Sequence, residues 1–264
     1  MNSSGANWQA DLVSIDPGWP VAVALAALLA MALLAHRVAG YGLEVPSLVA
    51  ALRSVVQLGV VALLIKGAVS SLPLSWLLVA VMFAMGVLTT GRRVEALRSW
   101  PWAALAMAAG VAPVLVVVFA TGAIPWEGIA IIPVAGIIVG NAMTGHTLVG
   151  RRSFAALREE KSQYEACLSL GMLPAQAITE SIHRRAPEAL LPGLDQVKTT
   201  GVVTLPGAFI GVMLGGGSPV QAATAQALVL FGIMAAQTIT VLVAERLIAA
   251  RKLLPPDLRL ALID

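Results

Sequence analysis

The sequence predicts an all-α polytopic membrane protein with about seven transmembrane helices, its N-terminus outside and its C-terminus in the cytoplasm. Three observations carry this. Hydrophobic residues fill 58% of the 264 positions and charged residues only 12%, against about 25% charged in a soluble domain, and the mean hydropathy is +0.87. Apolar stretches close to the roughly 20 residues that a spanning helix needs recur along the chain. Basic residues gather on one side of the resulting topology. This composition excludes a disordered chain, a nucleic-acid-coating protein and an ordinary soluble enzyme. The segments are too long and too rich in Ala and Leu for the alternating strands of an outer-membrane barrel.

Taken in order, the expected spans are 19–35, 44–65, 73–91, 101–121, 126–149, 193–214 and 219–244, in one permease domain covering 1–264. The acids Asp11 and Asp16, with no Lys or Arg ahead of the first apolar stretch, argue against a cleaved signal peptide. With the N-terminus outside, the connections after spans one, three, five and seven are cytoplasmic. They hold Arg37; Arg92, Arg93 and Arg98; Arg151, Arg152, Arg158, Lys161, Arg184 and Arg185; and Arg246, Arg251, Lys252 and Arg259, which is 14 of the 17 basic residues. Only Lys66 falls in an outer connection, and Arg53 and Lys198 sit in the cytoplasmic halves of spans. That asymmetry sets the orientation. Trp19, Trp76, Trp100, Trp102 and Trp126 all stand at span starts, where an indole sits well between lipid and water.

Pro and Gly interrupt two spans. The fifth carries Pro133, Gly136 and Gly140. The sixth carries Gly201, Pro206, Gly207 and Gly211, followed by Gly215-Gly216-Gly217-Ser218-Pro219. Broken backbone in lipid is tolerated only where protein or a water-filled cavity satisfies the freed groups, so both are interior elements, serving close packing or a moving, pathway-lining role. Few polar side chains enter the spans. Glu44 falls at the cytoplasmic interface. Arg53 either snorkels to headgroups or joins Gln57, one turn on, in an interior stripe. Asn141, Thr144 and His146 cluster at the end of span five, as helix–helix hydrogen-bond partners or as transient oxygen and imidazole ligands for a metal. Gln226 and Gln237 share a face of span seven. Met82, Met85, Met143 and Met213 read as filler in apolar helices. No span contains a His-x-x-x-His, a Cys-x-x-Cys or a carboxylate pair.

The segment 150–192 is the one long polar block. It reads as two amphipathic helices, about 152–170 and 174–186, interrupted by Gly171 and Pro174 and ended by Pro187. Helices of this kind dock on a partner or lie on the membrane surface. Cys167, the single cysteine, excludes an intrachain disulfide and reads as a small buried side chain.

Glu165-Ala166-Cys167-Leu168-Ser169-Leu170-Gly171 resembles the Glu-Ala-Ala-x-x-x-Gly coupling loop of ABC-transporter permeases, with Cys167 in place of the second Ala. Leu191-Pro192 also follows about nine residues later than in importer permeases. Further motifs occur in order: Arg53-Ser54-Val55-Val56-Gln57-Leu58, Gly140-Asn141-Ala142-Met143, Gly201 through Gly207 (Gly-Val-Val-Thr-Leu-Pro-Gly), Gly215 through Ala222, and Gln226. As a set, over about residues 40–250, they resemble the Fet-type iron-export ABC permease family, whose relatives include bacterial YbbM proteins and plant STAR-type aluminium-tolerance permeases. The resemblance implies a permease subunit in a bacterial cytoplasmic membrane that exports iron or a related metal species. It implies a separate ABC ATPase subunit that binds ATP and Mg and docks on Glu165, Ala166, Cys167, Leu170 and Gly171. The polar side chains and helix breaks within the spans point separately to a pathway or gate among Arg53, Gln57, Asn141, Thr144, His146, Pro206 and Gln226.

The residues agree with a subunit role. No Gly-x-x-x-x-Gly-Lys-[Ser/Thr] phosphate loop occurs, so ATP is expected on another chain and no cofactor on this one; the composition leaves no nucleic acid among its partners. Seven spans are few for a whole ABC pathway, which points to a homodimer in lipid. An ion-coupled secondary transporter of a small solute or metal is the alternative. It calls for mid-span acids and inverted repeats, whereas Glu44, Glu127 and Glu245 sit near span ends. An intramembrane enzyme would need a nucleophile–base pair or a metal motif, and neither is present.

Overall fold

A computed structural model describes residues 18–262, the side chain of Lys66 excepted. Asp11 and Asp16 lie outside the described residues. The described chain is helical, and six of its helices are long and apolar enough to cross a membrane. It divides into two compact units, one ending at Ala68 and the other beginning at Val69.

The first unit is a hairpin of α1 (Trp19–Ala39) and α2 (Glu44–Ala68). Pro20 starts α1, where a missing N–H costs nothing. Gly40 ends it in the left-handed conformation (φ 66°), with the N–H groups of Gly40 and Tyr41 donating to the carbonyls of Arg37 and His36. No residue of α1 is buried. The helix is apolar all round, as suits a lipid solvent. Lys66, expected in a connection, falls in the last turn of α2.

The second unit contains α3 (Leu72–Arg93), α4 (Trp100–Ala120), α5 (Gly128–Glu159), α6 (Lys161–Ser169), α7 (Pro174–Ile182), α8 (Leu191–Thr199), α9 (Gly207–Leu214), α10 (Pro219–Ala249) and α11 (Pro256–Ala261), with short 3-10 turns at Leu97–Ser99 and Ala186–Ala189. The core is built where α10 packs on α4 and α5, and α5 on α3. The sequence dictates these faces. The buried positions of α5 include Ile131, Ala135, Ile138, Ala142, Gly145, Val149 and Ser153, and those of α10 include Ala222, Gln226, Val229, Ile233, Ala236, Thr240 and Ala244. Both recur at helical three- and four-residue intervals. Small residues at these positions let the backbones approach. A Cβ at Gly110 of α4 would collide with the Ala236 carbonyl and the Thr240 hydroxyl of α10, and one at Gly128 with Ser75 and the Val69 backbone.

Three differences from the expected spans have local causes. The helix expected to stop at 149 runs on to Glu159, because Ser153, Phe154, Ala156 and Leu157 continue its buried stripe past the arginines. Its 32 residues measure roughly 48 Å, well beyond a ~30 Å hydrocarbon core. The amphipathic helix expected over 152–170 is accordingly divided at Glu160 into the end of α5 and α6. The stretch 193–214 is not one helix. It is α8 and α9 separated by Thr200–Pro206, where Gly201 adopts φ 88° and its N–H donates to the Thr204 carbonyl. The β-branched run Thr199-Thr200 and Val202-Val203-Thr204 is a poor helix former, and Pro206 denies the helix a donor. Before α10, Gly216 turns the chain at φ 86°. Ser218 and Gln221 then form a capping box: Gln221 N–H donates to Ser218 Oγ (3.3 Å) and Ser218 N–H to Gln221 Oε1 (2.8 Å).

The tryptophans do more than anchor. Trp76, Phe119 and Trp126 form a cluster with ring centroids 5.3–6.2 Å apart, and Trp126 Nε1–H donates to the Phe119 carbonyl at 3.0 Å. Trp102 lies under the Lys252 ammonium, 4.6 Å from its ring centroid.

The α4–α10 approach is testable. Gly110→Val should destabilise the protein by about 1–3 kcal/mol through overpacking, read as a lowered midpoint of thermal unfolding in detergent. Gly140→Ala, whose new methyl meets nothing within 4 Å, should match or exceed the wild type. Equal midpoints for Gly110→Val and wild type would contradict the packing described.

Candidate functional site

The ends of α3, α5 and α10, the start of α4 and the segment 160–190 converge at one end of the second unit, which carries most of its arginines. Arg151 Nε donates to the Arg93 carbonyl (3.4 Å). Arg158 bridges Asp257 (2.8 Å) and Glu95 (3.7 Å). Arg152 pairs with Glu188 (2.5 Å), which Arg185 also approaches (3.8 Å) while reaching Glu160 (3.2 Å). His183 Nδ1–H donates to Glu245 Oε1 on α10 (2.7 Å). The chain after α10 folds back over this end. Leu253, Leu254, Leu258 and Leu262 are buried, Arg259 donates to Ser99 Oγ (3.1 Å) and Arg251 to the Leu262 carbonyl (2.8 Å). Most of these pairs are half-exposed, so each alone contributes little. Their effect is to fix the geometry of the segment that they surround.

That segment is a helical hairpin. Tyr164 and Cys167 of α6 and Ala177, Ile178, Ser181 and Ile182 of α7 are buried, and α7 packs on α5 and α10. The turn between the helices faces outward. Gly171 adopts φ 86°, with its N–H donating to the Leu168 carbonyl and that of Met172 to the Cys167 carbonyl. Gln176 Oε1 accepts from Leu173 N–H (2.9 Å) at the start of α7. Leu170 is 83% exposed and Leu173 66%, so the turn presents two large apolar side chains. Of the residues expected at a docking surface, Glu165, Ala166, Leu170 and Gly171 are exposed, and Glu165 pairs with Lys161 one turn back (3.5 Å). Cys167, also expected there, is instead turned inward and buried, so its side chain is not part of that surface.

The polar residues expected to line a pathway separate into groups. Arg53 and Gln57 belong to α2 in the first unit and are exposed. Thr144 is exposed, its hydroxyl donating to the Gly140 carbonyl of its own helix (3.1 Å). Pro206 ends the break before α9. Asn141 meets Gln237, whose Nε2 donates to the Asn141 carbonyl (3.2 Å) and lies 3.5 Å from its Oδ1. Gly193 of α8 packs against the same Gln237 amide, and a Cβ there would collide with it. Gln237 also lines a 460 Å³ cleft between α8 and α10 with Leu190, Leu194, Met234 and Thr238. Gln226 is buried, and its Oε1 has no hydrogen-bond partner among the described residues.

His146 points elsewhere. It is fully buried, its Nδ1 lies 2.8 Å from Thr90 Oγ1 of α3, and Thr90 Oγ1 lies 2.9 Å from Thr147 Oγ1, whose hydroxyl reaches the Met143 carbonyl at 2.8 Å. Thr90 and Thr147 are absent from the sequence-based expectation. The one signal for Thr90 is the Thr89-Thr90 pair ending an apolar span, and Thr147 has none. Among the described residues, no group of three or more His, Cys, Asp or Glu side chains is placed to hold a metal ion.

Taken together, the fold is that of a multi-pass α-helical membrane protein with a docked helical hairpin at its basic end. The model of the uncharacterised protein family UPF0014 matches residues 19–253, and the chain belongs to that family. It is 32% identical over 240 residues to the UPF0014 membrane protein STAR2 of Oryza sativa subsp. japonica, covering 86% of this chain and 84% of that one. Protein ALUMINUM SENSITIVE 3 of Arabidopsis thaliana is 29% identical over 191 residues, 71% of this chain and 70% of its own. The probable iron export permease protein FetB of Escherichia coli (strain K12) is 33% identical over 140 residues, 53% of this chain and 54% of its own. No solved structure matches.

The clasp over the basic end predicts a pH effect. The hydrogen bond from Arg158 holds the Asp257 carboxyl below its ordinary range. A depressed carboxylate stabilises the fold fully above its unfolded value of about 3.9 and loses that contribution as pH falls through the folded value. Asp257→Asn should therefore lower the protection of the amides across 256–262, relative to their intrinsic exchange at the same pH, at neutral pH and abolish its further loss on acidification. Exchange identical to wild type at both pH values would dismiss the clasp.

Proposed function

We propose that this chain is the membrane permease subunit of an ATP-driven exporter of metal cations, acting as a homodimer with a separate ABC ATPase that binds ATP and Mg. The observation that carries this reading is the α6–α7 hairpin. It is anchored by its buried face to the two central helices of the second unit while its Leu170–Leu173 turn stands exposed. An apolar side chain at a tight, convex turn is the shape that enters a cleft on a soluble partner, and nothing in lipid would require it. The orientation with the basic end in the cytoplasm rests on the arginine asymmetry and places the hairpin where an ATPase can reach it.

Metal as cargo is supported by the named roles of the relatives: probable iron export for one, and aluminium sensitivity in the name of another. Within the bundle the buried polar side chains are Thr, Ser, Gln and His, which are neutral ligands that bind a cation weakly enough to let it go. In this reading Asn141, Gln226 and Gln237 serve the pathway from α5 and α10, and the break around Pro206 is the movable part of its wall.

Two variants test coupling. Glu165→Arg places like charges beside Lys161, and Gly171→Leu forces a side chain into the left-handed region, at roughly 1–2 kcal/mol. Both should insert normally. Both should retain the ATPase about tenfold less well in co-purification, and both should fail to stimulate ATP hydrolysis when reconstituted with a panel of metals. Normal ATPase retention and transport by both would show the coupling assignment to be wrong.

A further inference from the structure

We propose that the corner where α3 ends beside α5 is a binding site for the phosphate headgroup of an anionic phospholipid, held by Arg92, Arg93, Arg98 and Arg151. The two helices set its depth. They start level with one another, since Gly128 lies against Ser75 and the Val69 backbone, and they are level again where Gly150 lies against Val94. The 22 residues of α3 measure roughly 33 Å, close to a ~30 Å hydrocarbon core. Arg92 and Arg93 close α3, and they and Arg151 of α5 therefore stand where acyl chains give way to headgroups. Arg151 Nε donates to the Arg93 carbonyl (3.4 Å), which holds the one beside the other. Gly91 lies against Leu97, which brings the turn bearing Arg98 to the same place.

The pairing of the arginines singles this corner out. Arg152, Arg158, Arg184 and Arg185, farther along α5 or in the segment 160–190, each meet a carboxylate. Arg92, Arg93, Arg98 and Arg151 are exposed, and none of them meets a carboxylate among the described residues. Glu95, the acid nearest to them in the chain, is turned to Arg158 (3.7 Å). Four like charges gathered in one corner repel unless an anion lies among them, and the negative end of the α3 dipole offsets only part of this. A guanidinium fork matches phosphate oxygens two at a time. The surroundings name the source of the phosphate. Leu88, one turn before Arg92, and Leu97 and Trp100 beside Arg98 are exposed. An indole and two leucines next to arginines suit a headgroup with its acyl chains below it, whereas a phosphate from water needs no apolar neighbours. Basic recesses between spans on the cytoplasmic side hold anionic headgroups in this way.

The test uses the full chain in a neutral maltoside detergent, with phosphatidylglycerol or phosphatidylcholine added, read by native mass spectrometry and by the midpoint of thermal unfolding. Phosphatidylglycerol should stay bound about tenfold more tightly than phosphatidylcholine and should raise the midpoint, as a ligand of the native state does. Arg93→Gln/Arg151→Gln should lose this preference and Arg184→Gln should keep it. The double variant retains Arg92, Arg98 and the other cytoplasmic arginines, so its orientation holds. Should it fail to fold, Arg98→Gln, on an exposed turn, should weaken phosphatidylglycerol retention severalfold. Inorganic phosphate at the same concentration should neither raise the midpoint nor displace the lipid; a shift equal to that of phosphatidylglycerol would assign the corner to free phosphate and overturn the proposal. Equal retention of both lipids by wild type, or an unchanged preference in the double variant and in Arg98→Gln, would also overturn it. Loss of the ATPase from the double variant with lipid preference intact would give the patch to a protein partner instead. Transport activity enters none of these measurements, so the site stands or falls separately from the proposed cargo.

Discussion

Lipid tails are as apolar as leucine, so the helices of the second unit gain little by hiding apolar surface from one another and must be held by close packing instead. The approach of α10 to α4 and α5 is where this is achieved. Gly110 lets the backbone of α4 lie against Ala236 and Thr240, Gly145 admits Gln237 and Val241, and Gly232 admits Val114 and Ile138. The rest of the unit depends on this seam. Gln237 meets Asn141 only because α5 and α10 lie this near, and the absence of a side chain at Gly193 lets α8 pack against the same amide. Satisfied polar groups then add direction to a contact that dispersion alone would leave free to slide.

The basic end solves a different problem. There the solvent is water and headgroup, and α5 is about three turns longer than the ordinary thickness of a bilayer core. Its extension is clothed on one side by α7 and the Ala186–Ala189 turn and touched by α11. Ion pairs from Arg152, Arg158 and Arg185 tie those elements down. Exposed ion pairs are individually weak, but here they border a buried apolar layer of Phe154, Leu157, Ile178, Ile182 and Leu258, and the layer supplies most of the stabilisation. Charge decides which elements meet, and burial keeps them together.

Much of the fold was legible from hydropathy and punctuation, because a spanning helix must satisfy its own backbone and so announces itself by length. Five of the expected spans and the seventh correspond to single long helices. The stretch 193–214 did not, since an apolar count is blind to Thr200-Gly201-Val202-Val203-Thr204 and Pro206, whose backbone preferences divide it. The far end of α5 was missed for the opposite reason: Arg151 and Arg152 read as a loop although buried Val149, Gly150, Ser153 and Phe154 continue the helix on either side of them. The hairpin was legible because Gly171 and Pro174 mark its turn. The inward direction of Cys167 was legible only as a preference of cysteine for burial. His146 was visible as a polar residue, but its partner Thr90 lies 56 residues away. No local pattern couples them, since the pairing is set by the packing of α3 on α5.

The hairpin and the interior are mechanically joined. Ala177, Ile178, Ser181 and Ile182 are buried on a helix that packs against both α5 and α10, and His183 ties the end of the same helix to Glu245. Packed cores deform little and respond by shifting between arrangements. A displacement of α7 therefore either breaks these contacts or carries the end of α10 with it. From Glu245 to Gln237 is eight residues of uninterrupted helix, roughly 12 Å, so movement at the basic end reaches the amide that joins α10 to Asn141 without a joint between. The joints lie elsewhere, in the chain at Thr200–Pro206 and at Gly216, where α9 is held to the bundle through α10 and exposes Ile210, Met213 and Leu214. A rigid helix pair thus stands beside a divided one, and a displacement at the basic end is absorbed at the breaks in the chain rather than within α5 or α10.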